Sequence, residues 1–328
     1  MKKTIVITSI FAPTEGVRKF AEKSDYNLLV VGDKKSPTNW ESPGVSFISL
    51  EEQMQGLGRF AELMPLNCYA RKNLGYVKAI QDGAQVIVDT DDDNIPYGDW
   101  AFPEFTGEYD SLSDDLGMVN IYQLFSKQKI WPRGLELNLI NTDFGLDGKL
   151  SKSQAQVGIW QGLADKDPDV DAIYRLTSDE ECTFDKRAPV VLGKGTLCPY
   201  NSQNTTTLKE LFPLLYLPFT VSFRYTDILR SWVAQPIMWA HGYKLGFTEA
   251  SVYQERNAHD YVEDFKSEIS MYVGSKQAIE IATSIANAKD SIEDNLFNVY
   301  EGLLKAGIVE QAELDGINAW LEAINKTS

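Results

Sequence analysis

Four aspartates within five residues dominate the chemistry available to this chain. Asp89, Asp91, Asp92 and Asp93 close the run Val86-Ile87-Val88-Asp89-Thr90-Asp91-Asp92-Asp93-Asn94. Consecutive carboxylates repel one another unless something cationic sits among them. Hard oxygen ligands in this number suit Mg²⁺ or Mn²⁺, with Asp91 and Asp93 as ligands and Asp92 or Asp89 supporting them. Arg71 and Lys72 stand at the start of the preceding helical pattern, where the helix dipole disfavours cations. Two of them at that place suggest that an anion such as a phosphate completes the site. The residue types therefore point to a diphosphate held with a divalent metal. The competing reading is an acidic surface turn.

The elements that must position these groups follow from periodicity. Leu74, Val77 and Ile80 share one helical face, Asp82-Gly83 is a turn, and Val86-Ile87-Val88 is an apolar run suited to a buried parallel strand. Upstream, Thr4 to Ile10 is expected to be a strand, Val17 to Lys23 a helix and Asn27 to Val31 a second strand, which together make a right-handed βαβ unit. Val45 to Leu50 is a third strand. Ligands in such sheets bind at the carboxyl ends of the strands, where the aspartates fall. Gly56-Leu57-Gly58 lacks the third glycine of a dinucleotide fingerprint, and there is no Walker motif.

Later segments are less regular. Val119 to Tyr122, Gln156 to Trp160 and Phe219 to Phe223 are expected to be short strands. Gly162 to Leu176, with Asp165, Asp167, Asp169 and Asp171, reads as a loop facing an acceptor; it lacks the glycine and terminal glutamate of an EF-hand. Pro199 to Thr205 is a polar cluster able to hydrogen-bond sugar hydroxyls. Ile228, Trp232, Gln235 and Trp239 lie at helical spacing with Asp227 near the helix start, where the dipole favours an acid. From Tyr261 the pattern is helical to the end, and its amphipathic faces need a partner surface. They either pack on the preceding domain or pair two copies of the chain as a homodimer.

The run Arg71–Asn94 resembles the DxD region of glycosyltransferases with the GT-A fold. Together with Ile130-Trp131-Pro132-Arg133-Gly134, Asp167–Thr177, Pro199–Thr205 and Arg224–Asp260, it is most similar to the STELLO family. A looser similarity is to the reversibly glycosylated polypeptides, which are nucleotide-sugar mutases. The resemblance implies a GT-A-like α/β fold, a mostly parallel sheet flanked by helices, over residues 1–262, with a C-terminal helical region over 263–328. It implies a metal-dependent glycosyltransferase that uses a nucleotide-diphosphate sugar, with UDP-sugars favoured, and a glycan, lipid-linked sugar or protein as acceptor. Ser9, Phe11, Ala12 and Pro13 would line the base. Asp33 would meet the base or ribose, although Gly32-Asp33 also reads as a simple turn. Arg71, Lys72, Asp91 and Asp92 would hold the nucleotide, Asp227 would be the general base of an inverting reaction, and His259 would reach back to the metal at Asp91 and Asp93. Asp179, Glu180 and Glu181 are the rival cluster for the base. A mutase and a non-catalytic scaffold are the alternatives.

Composition sets the outer limits. The chain has 328 residues, 43% hydrophobic and 24% charged, which is ample for a large core. A net charge of −16 argues against nucleic acid or an anionic membrane as partner. Cys68, Cys182 and Cys198 form no disulfide or zinc pattern. The apolar start, broken by Thr8 and Ser9, reads as a strand and not as a signal peptide, and no run approaches a membrane span. A cytoplasmic location is the expectation.

Overall fold

The computed structural model describes residues 1–178, 180–255 and 260–326. Strand β1 (Lys3–Thr8), helix α1 (Glu15–Ala21), strands β2 (Tyr26–Val31) and β3 (Val45–Ile48), helices α2 (Leu50–Leu63) and α3 (Lys72–Gln81) and strand β4 (Val86–Thr90) form the first half. Short strands β5 (Asn94–Pro96), β6 (Thr106–Leu112) and β7 (Gly117–Met118) lead to the long strand β8 (Leu150–Asp165). Helix α4 (Ala172–Thr177), strands β9 (Val190–Val191), β10 (Thr196–Leu197) and β11 (Asn204–Leu208), helix α5 (Thr226–Ala240) and strand β12 (Lys244–Gln254) complete the sheet region. Helices α6 (Tyr261–Ile285), α7 (Ile292–Lys305) and α8 (Gln311–Ile324) follow.

The main sheet runs β3-β2-β1-β4-β11-β8-β6-β9-β12-β5. It is parallel through β3, β2, β1 and β4 and mixed beyond, since β11 runs antiparallel to both β4 and β8. This is an α/β architecture. The period-2 alternation of strand side chains distributes β1 and β2 over two cores. Ile5, Ile7, Leu28 and Val30 face the layer holding Val17, Phe20 and Trp100, whereas Val6, Leu29 and Val31 face the larger core. That core also takes in Trp232, Tyr300 and Trp320, so residues 263–326 share it with the sheet. Trp320 packs on Phe60 and Tyr216 and donates to the Pro213 carbonyl at 3.1 Å. The apolar faces of α7 and α8 are thus covered by this same chain. Among the described residues, no helix is long and apolar enough to cross a membrane.

Several expected elements differ. Ile121–Leu124 is a 3₁₀ turn and not a strand, because Asn120 caps it by accepting from the Tyr122 amide. Residues 219–223 form no strand; the Phe219 and Thr220 amides donate to the Glu313 carboxylate of α8 instead of to a sheet neighbour. Residues 162–176 are mostly not loop. They complete β8, turn, and begin α4, and their acids are used locally: Asp165 accepts from Tyr97 and the Phe184 amide, Asp167 pairs with Arg175, and Asp171 caps α4.

Helix α1 is pressed against the turn that carries the aspartates. A Cβ on Gly16 would come within 2.3 Å of the Asn94 carbonyl oxygen and 2.9 Å of the Asp92 one, so only glycine allows this approach. Thr14 both caps α1 and donates to the Asp92 carbonyl.

Candidate active site

A cleft of about 320 Å³ opens at the carboxyl ends of β1, β2 and β4. Ser9 and Phe11 enter it from the loop after β1, Asp33 from the loop after β2, and Asp91, Asp92 and Asp93 from the turn after β4. Asp227 enters from the first turn of α5. The structure therefore brings together seven residues that the sequence singled out. Ala12 and Pro13 are outside the lining. His259 lies outside the described residues.

Beneath the floor, Asp89 is wholly buried. Its Oδ1 is 2.6 Å from Lys72 Nζ, and its Oδ2 accepts from Tyr76 at 2.6 Å and Arg230 Nη1 at 2.9 Å. Lys72 Nζ also reaches the Thr90 carbonyl at 2.6 Å, Tyr69 Oη at 3.0 Å and Asp91 Oδ1 at 3.0 Å. Burial alone would lower the Lys72 pKa, but Asp89 and Asp91 outweigh it and raise it, so the ammonium is a resident cation. Lys72 is thus directed at Asp91 from below and does not line the cleft. Arg71 departs further from expectation. Its guanidinium donates to the Met64 carbonyl at 2.8 Å and to Gln53, whose amide in turn donates to the Gly32 and Ile48 carbonyls. It holds α2 to the β2 and β3 ends, away from the cleft, because the 3₁₀ turn Tyr69–Arg71 rotates it inward at the helix start.

The three cleft aspartates differ. Asp91 Oδ1 accepts from Lys72 and, at 2.8 Å, from Tyr69. Asp92 Oδ2 accepts from Ser9 at 2.5 Å. Asp93 Oδ2 accepts from Gln254 at 2.9 Å, while its Oδ1 is buried with no hydrogen-bond partner among the described residues. Burial, with Asp91 adding to it, pushes Asp93 up to about 7; burial pushes Asp92 up to about 6 despite the Ser9 hydrogen bond. Burial also raises Asp91, against the pull of Lys72. Carboxylates in this condition gain from an added cation. Among the described residues, no group of three His, Cys, Asp or Glu side chains is arranged to hold a metal ion unaided. Mg²⁺ is commonly held by one or two carboxylates plus substrate phosphates, and Asp93 with Asp91 fits that arrangement.

The opposite wall is built on Arg133, from the Trp-Pro-Arg-Gly loop. Its Nε and Nη2 clamp Asp169 at 2.8 and 2.6 Å, and Nη2 lies 3.0 Å from both oxygens of Asp227. Its Nη1 donates to the Arg224 carbonyl. Arg224 Nε pairs with Glu268 of α6 at 2.9 Å. Asp227 Oδ2 further accepts from the Ser202 amide and hydroxyl, each at 3.2 Å. Tyr69 joins the two sides: its hydroxyl lies 2.5 Å from Ser202 Oγ as well as 2.8 Å from Asp91. Burial, then Asp91 and Asp89, hold the Tyr69 pKa well above the ordinary phenol value, so it stays a neutral donor. Glu180 and Glu181 line a separate hollow with Lys166 and Arg175, and Asp179 lies outside the described residues.

Arg133 and Tyr69 were not singled out as site residues by the sequence, and Asp169 and Ser202 stood out only as members of the acid-rich run 162–176 and the polar cluster 199–205. Their order along the chain carries no spacing signal, since the contacts that join them to one another and to Asp91 and Asp227 span 22 to 133 residues.

The chain was compared with known proteins. Residues 224–327 match the STELLO glycosyltransferase model. Over 344 aligned residues the chain is 26% identical to "Probable glycosyltransferase STELLO2" and to "Probable glycosyltransferase STELLO1", both of Arabidopsis thaliana. Each alignment covers 98% of this chain and 44% of the relative. The chain thus spans less than half the length of the STELLO proteins it matches. The matched segment begins at Arg224, so it includes Asp227 and Glu268 of the cleft wall but not Asp91, Asp92 or Asp93. Among solved structures, the crystal structure of a mycobacterial protein aligns over 85% of this chain and 74% of its own, at 11% identity and a TM-score of 0.42, too low to carry a fold assignment.

Proposed function

We propose that this chain is a metal-dependent glycosyltransferase that moves a sugar from a nucleotide diphosphate to an acceptor hydroxyl. The similarity to STELLO glycosyltransferases supports the reaction class. The observation that carries the donor assignment is the buried Asp93 Oδ1, unpartnered among the described residues, beside Asp91 at the carboxyl end of a parallel strand and next to the loops after β1 and β2. A UDP-sugar is the favoured donor. Its base would lie near Phe11 and Asp33, and its diphosphate near Asp91 and Asp93. When bound, Mg²⁺ or Mn²⁺ would supply Lewis acidity to the leaving diphosphate.

The chain's own residues do the rest. Lys72 holds Asp91 from below, and Ser9 and Gln254 orient Asp92 and Asp93. Asp227 is proposed as the base of an inverting transfer. Its Oδ2 accepts from Arg133 and from the Ser202 amide and hydroxyl, while Oδ1 accepts from Arg133 and keeps a lone pair for an acceptor hydroxyl. At Oδ2 the Ser202 hydroxyl, though not its amide, is also able to give way, because Tyr69 Oη stands 2.5 Å from it and accepts in place of Asp227. Arg133 stays, and keeps the carboxylate aimed at the cleft.

The test is a thermal-shift and calorimetry series with UDP and GDP, with Mg²⁺ or Mn²⁺ and with EDTA. Metal-dependent stabilisation of about 2.7 kcal/mol is expected at a hundredfold excess over Kd. Equal binding of nucleotide in EDTA would refute the metal, and no binding under any condition would refute the donor.

A further inference from the structure

We propose that Phe223 is the platform of the acceptor subsite, and that the acceptor is a neutral sugar ring rather than an anionic molecule. The inference rests on the glycosyltransferase reading and names the acceptor class of that same cleft. Phe223 is 56% exposed, yet it lines the cleft and its neighbours are fixed. Ser222 donates to the Ser267 carbonyl at 2.5 Å, Arg224 is paired with Glu268, and the Tyr225 amide donates to the Ser222 carbonyl at 2.9 Å. The ring stands edge-on to Tyr69, with centroids 5.6 Å apart and planes at 85°. An apolar face held open to water in a rigid frame, beside Asp227 and Tyr69, is suited to the C–H face of a pyranose.

Charge selects against an anion. Among the described residues, six aspartates line the cleft, Asp33, Asp91, Asp92, Asp93, Asp169 and Asp227, against three cations, Lys35, Arg133 and Arg224. The two arginines on the Phe223 side are already engaged by Asp169, Asp227 and Glu268. An acceptor phosphate or carboxylate would find no uncommitted cation there among the described residues. A sugar hydroxyl would find acceptors in Asp227 and in the side chains of Ser202 and Gln203.

Saturation-transfer NMR on the whole chain, irradiating aromatic protons, tests this with Mg²⁺ and with UDP or GDP. The probes are methyl glucosides, galactosides and mannosides, against glucose 6-phosphate and glucuronate. At least one neutral glycoside is expected to take up saturation and to bind more tightly than the anions. Phe223→Ala should weaken it about tenfold, Phe223→Trp should restore it, and neither should change nucleotide affinity or Tm. Tighter binding of the anions, undiminished binding to Phe223→Ala, or no glycoside bound would each overturn the proposal. Failure of nucleotide alone to bind would count against the donor reading, and the glycoside arm is then read without nucleotide.

Discussion

Two buried ion-pair clusters face each other across the cleft, and they are built differently. Under the floor, Lys72 and Arg230 hold Asp89 and Asp91, with Lys72, Asp89 and Arg230 at most 2% exposed. In the wall, Arg133 and Arg224 meet Asp169, Asp227 and Glu268, and four of these five residues line the cleft. The first cluster is balanced and, apart from Asp91, sealed from the cleft, and it fixes the end of β4. The second carries one more acid than base, and it presents that excess to the cleft. Sealed charge pairs set geometry; a pair left open at one side is able to exchange a partner with a substrate.

The largest expected effect is on the open cluster. Asp227→Asn keeps the volume and the Arg133 contact but removes the proton acceptor, so transfer should fall about 10²–10⁴-fold, the usual contribution of a general base. Nucleotide affinity should hold. A loss of nucleotide binding would place Asp227 in the donor shell, and undiminished transfer would mark a retaining reaction.

In the sealed cluster the damage should appear in stability. Lys72→Met removes the cation of Asp91 and leaves Asp89 with Arg230 alone, and breaking a buried pair costs about 3–5 kcal/mol. Urea denaturation of the apo protein measures it. If Asp227→Asn costs as much stability as Lys72→Met, the two clusters do not differ in the way described.

Asp171 sharpens the comparison at the edge of the open cluster. It caps α4 and accepts from Trp131 Nε1 at 2.8 Å. Burial, with a contribution from Glu268, pushes it up to about 6 from 3.8, although Tyr174, Trp131 and Arg224 oppose the shift. A carboxyl raised on folding binds its proton more tightly in the native state. Its stabilising share is full below the unfolded value and is lost as pH rises through about 6. Relative to Asp171→Asn, which does not titrate, the wild-type protein should lose on the order of 3 kcal/mol between pH 4 and pH 7. A flat difference across that range would show that Asp171 is not desolvated.

The two clusters also mark what was legible in the sequence. The floor was read from local pattern: an apolar strand ending in acids, preceded by a helix. Even there the direction of Arg71 was misread. A cation at a helix start suggests an anion ligand, but the 3₁₀ turn before α3 rotates Arg71 onto Met64 and Gln53. The wall was not legible as a unit. Arg133, Asp169 and Ser202 come from separate loops and Asp227 from the first turn of α5, and only tertiary contact brings them together. The expected strand at 219–223 failed for a related reason, since Glu313, in the last helix, takes the amides a sheet would have used. The C-terminal helices, clear from their 3.6 periodicity, left open what covers them, and that too is a tertiary fact.

The smallest expected effect lies at the joint between the clusters. Tyr69 Oη touches Lys72 and Asp91 on one side and Ser202 on the other. One hydroxyl proton cannot serve Asp91 and Ser202 together, so the chain of hydrogen bonds has two senses. With Tyr69 donating to Asp91, the Ser202 hydroxyl donates to Tyr69 and Asp227 keeps, from Ser202, only the amide; with Tyr69 donating to Ser202, the Ser202 hydroxyl donates to Asp227 as well. Tyr69→Phe removes this choice at a net stability cost of about 1 kcal/mol, because Lys72 still covers Asp91. Ser202→Ala should cost a similar amount. Combined in a double-mutant cycle, the two should fall short of additivity by about 0.5–1 kcal/mol. Strict additivity in urea denaturation would mean that the floor and the wall are set independently, and that Asp91 and Asp227 do not communicate through Tyr69.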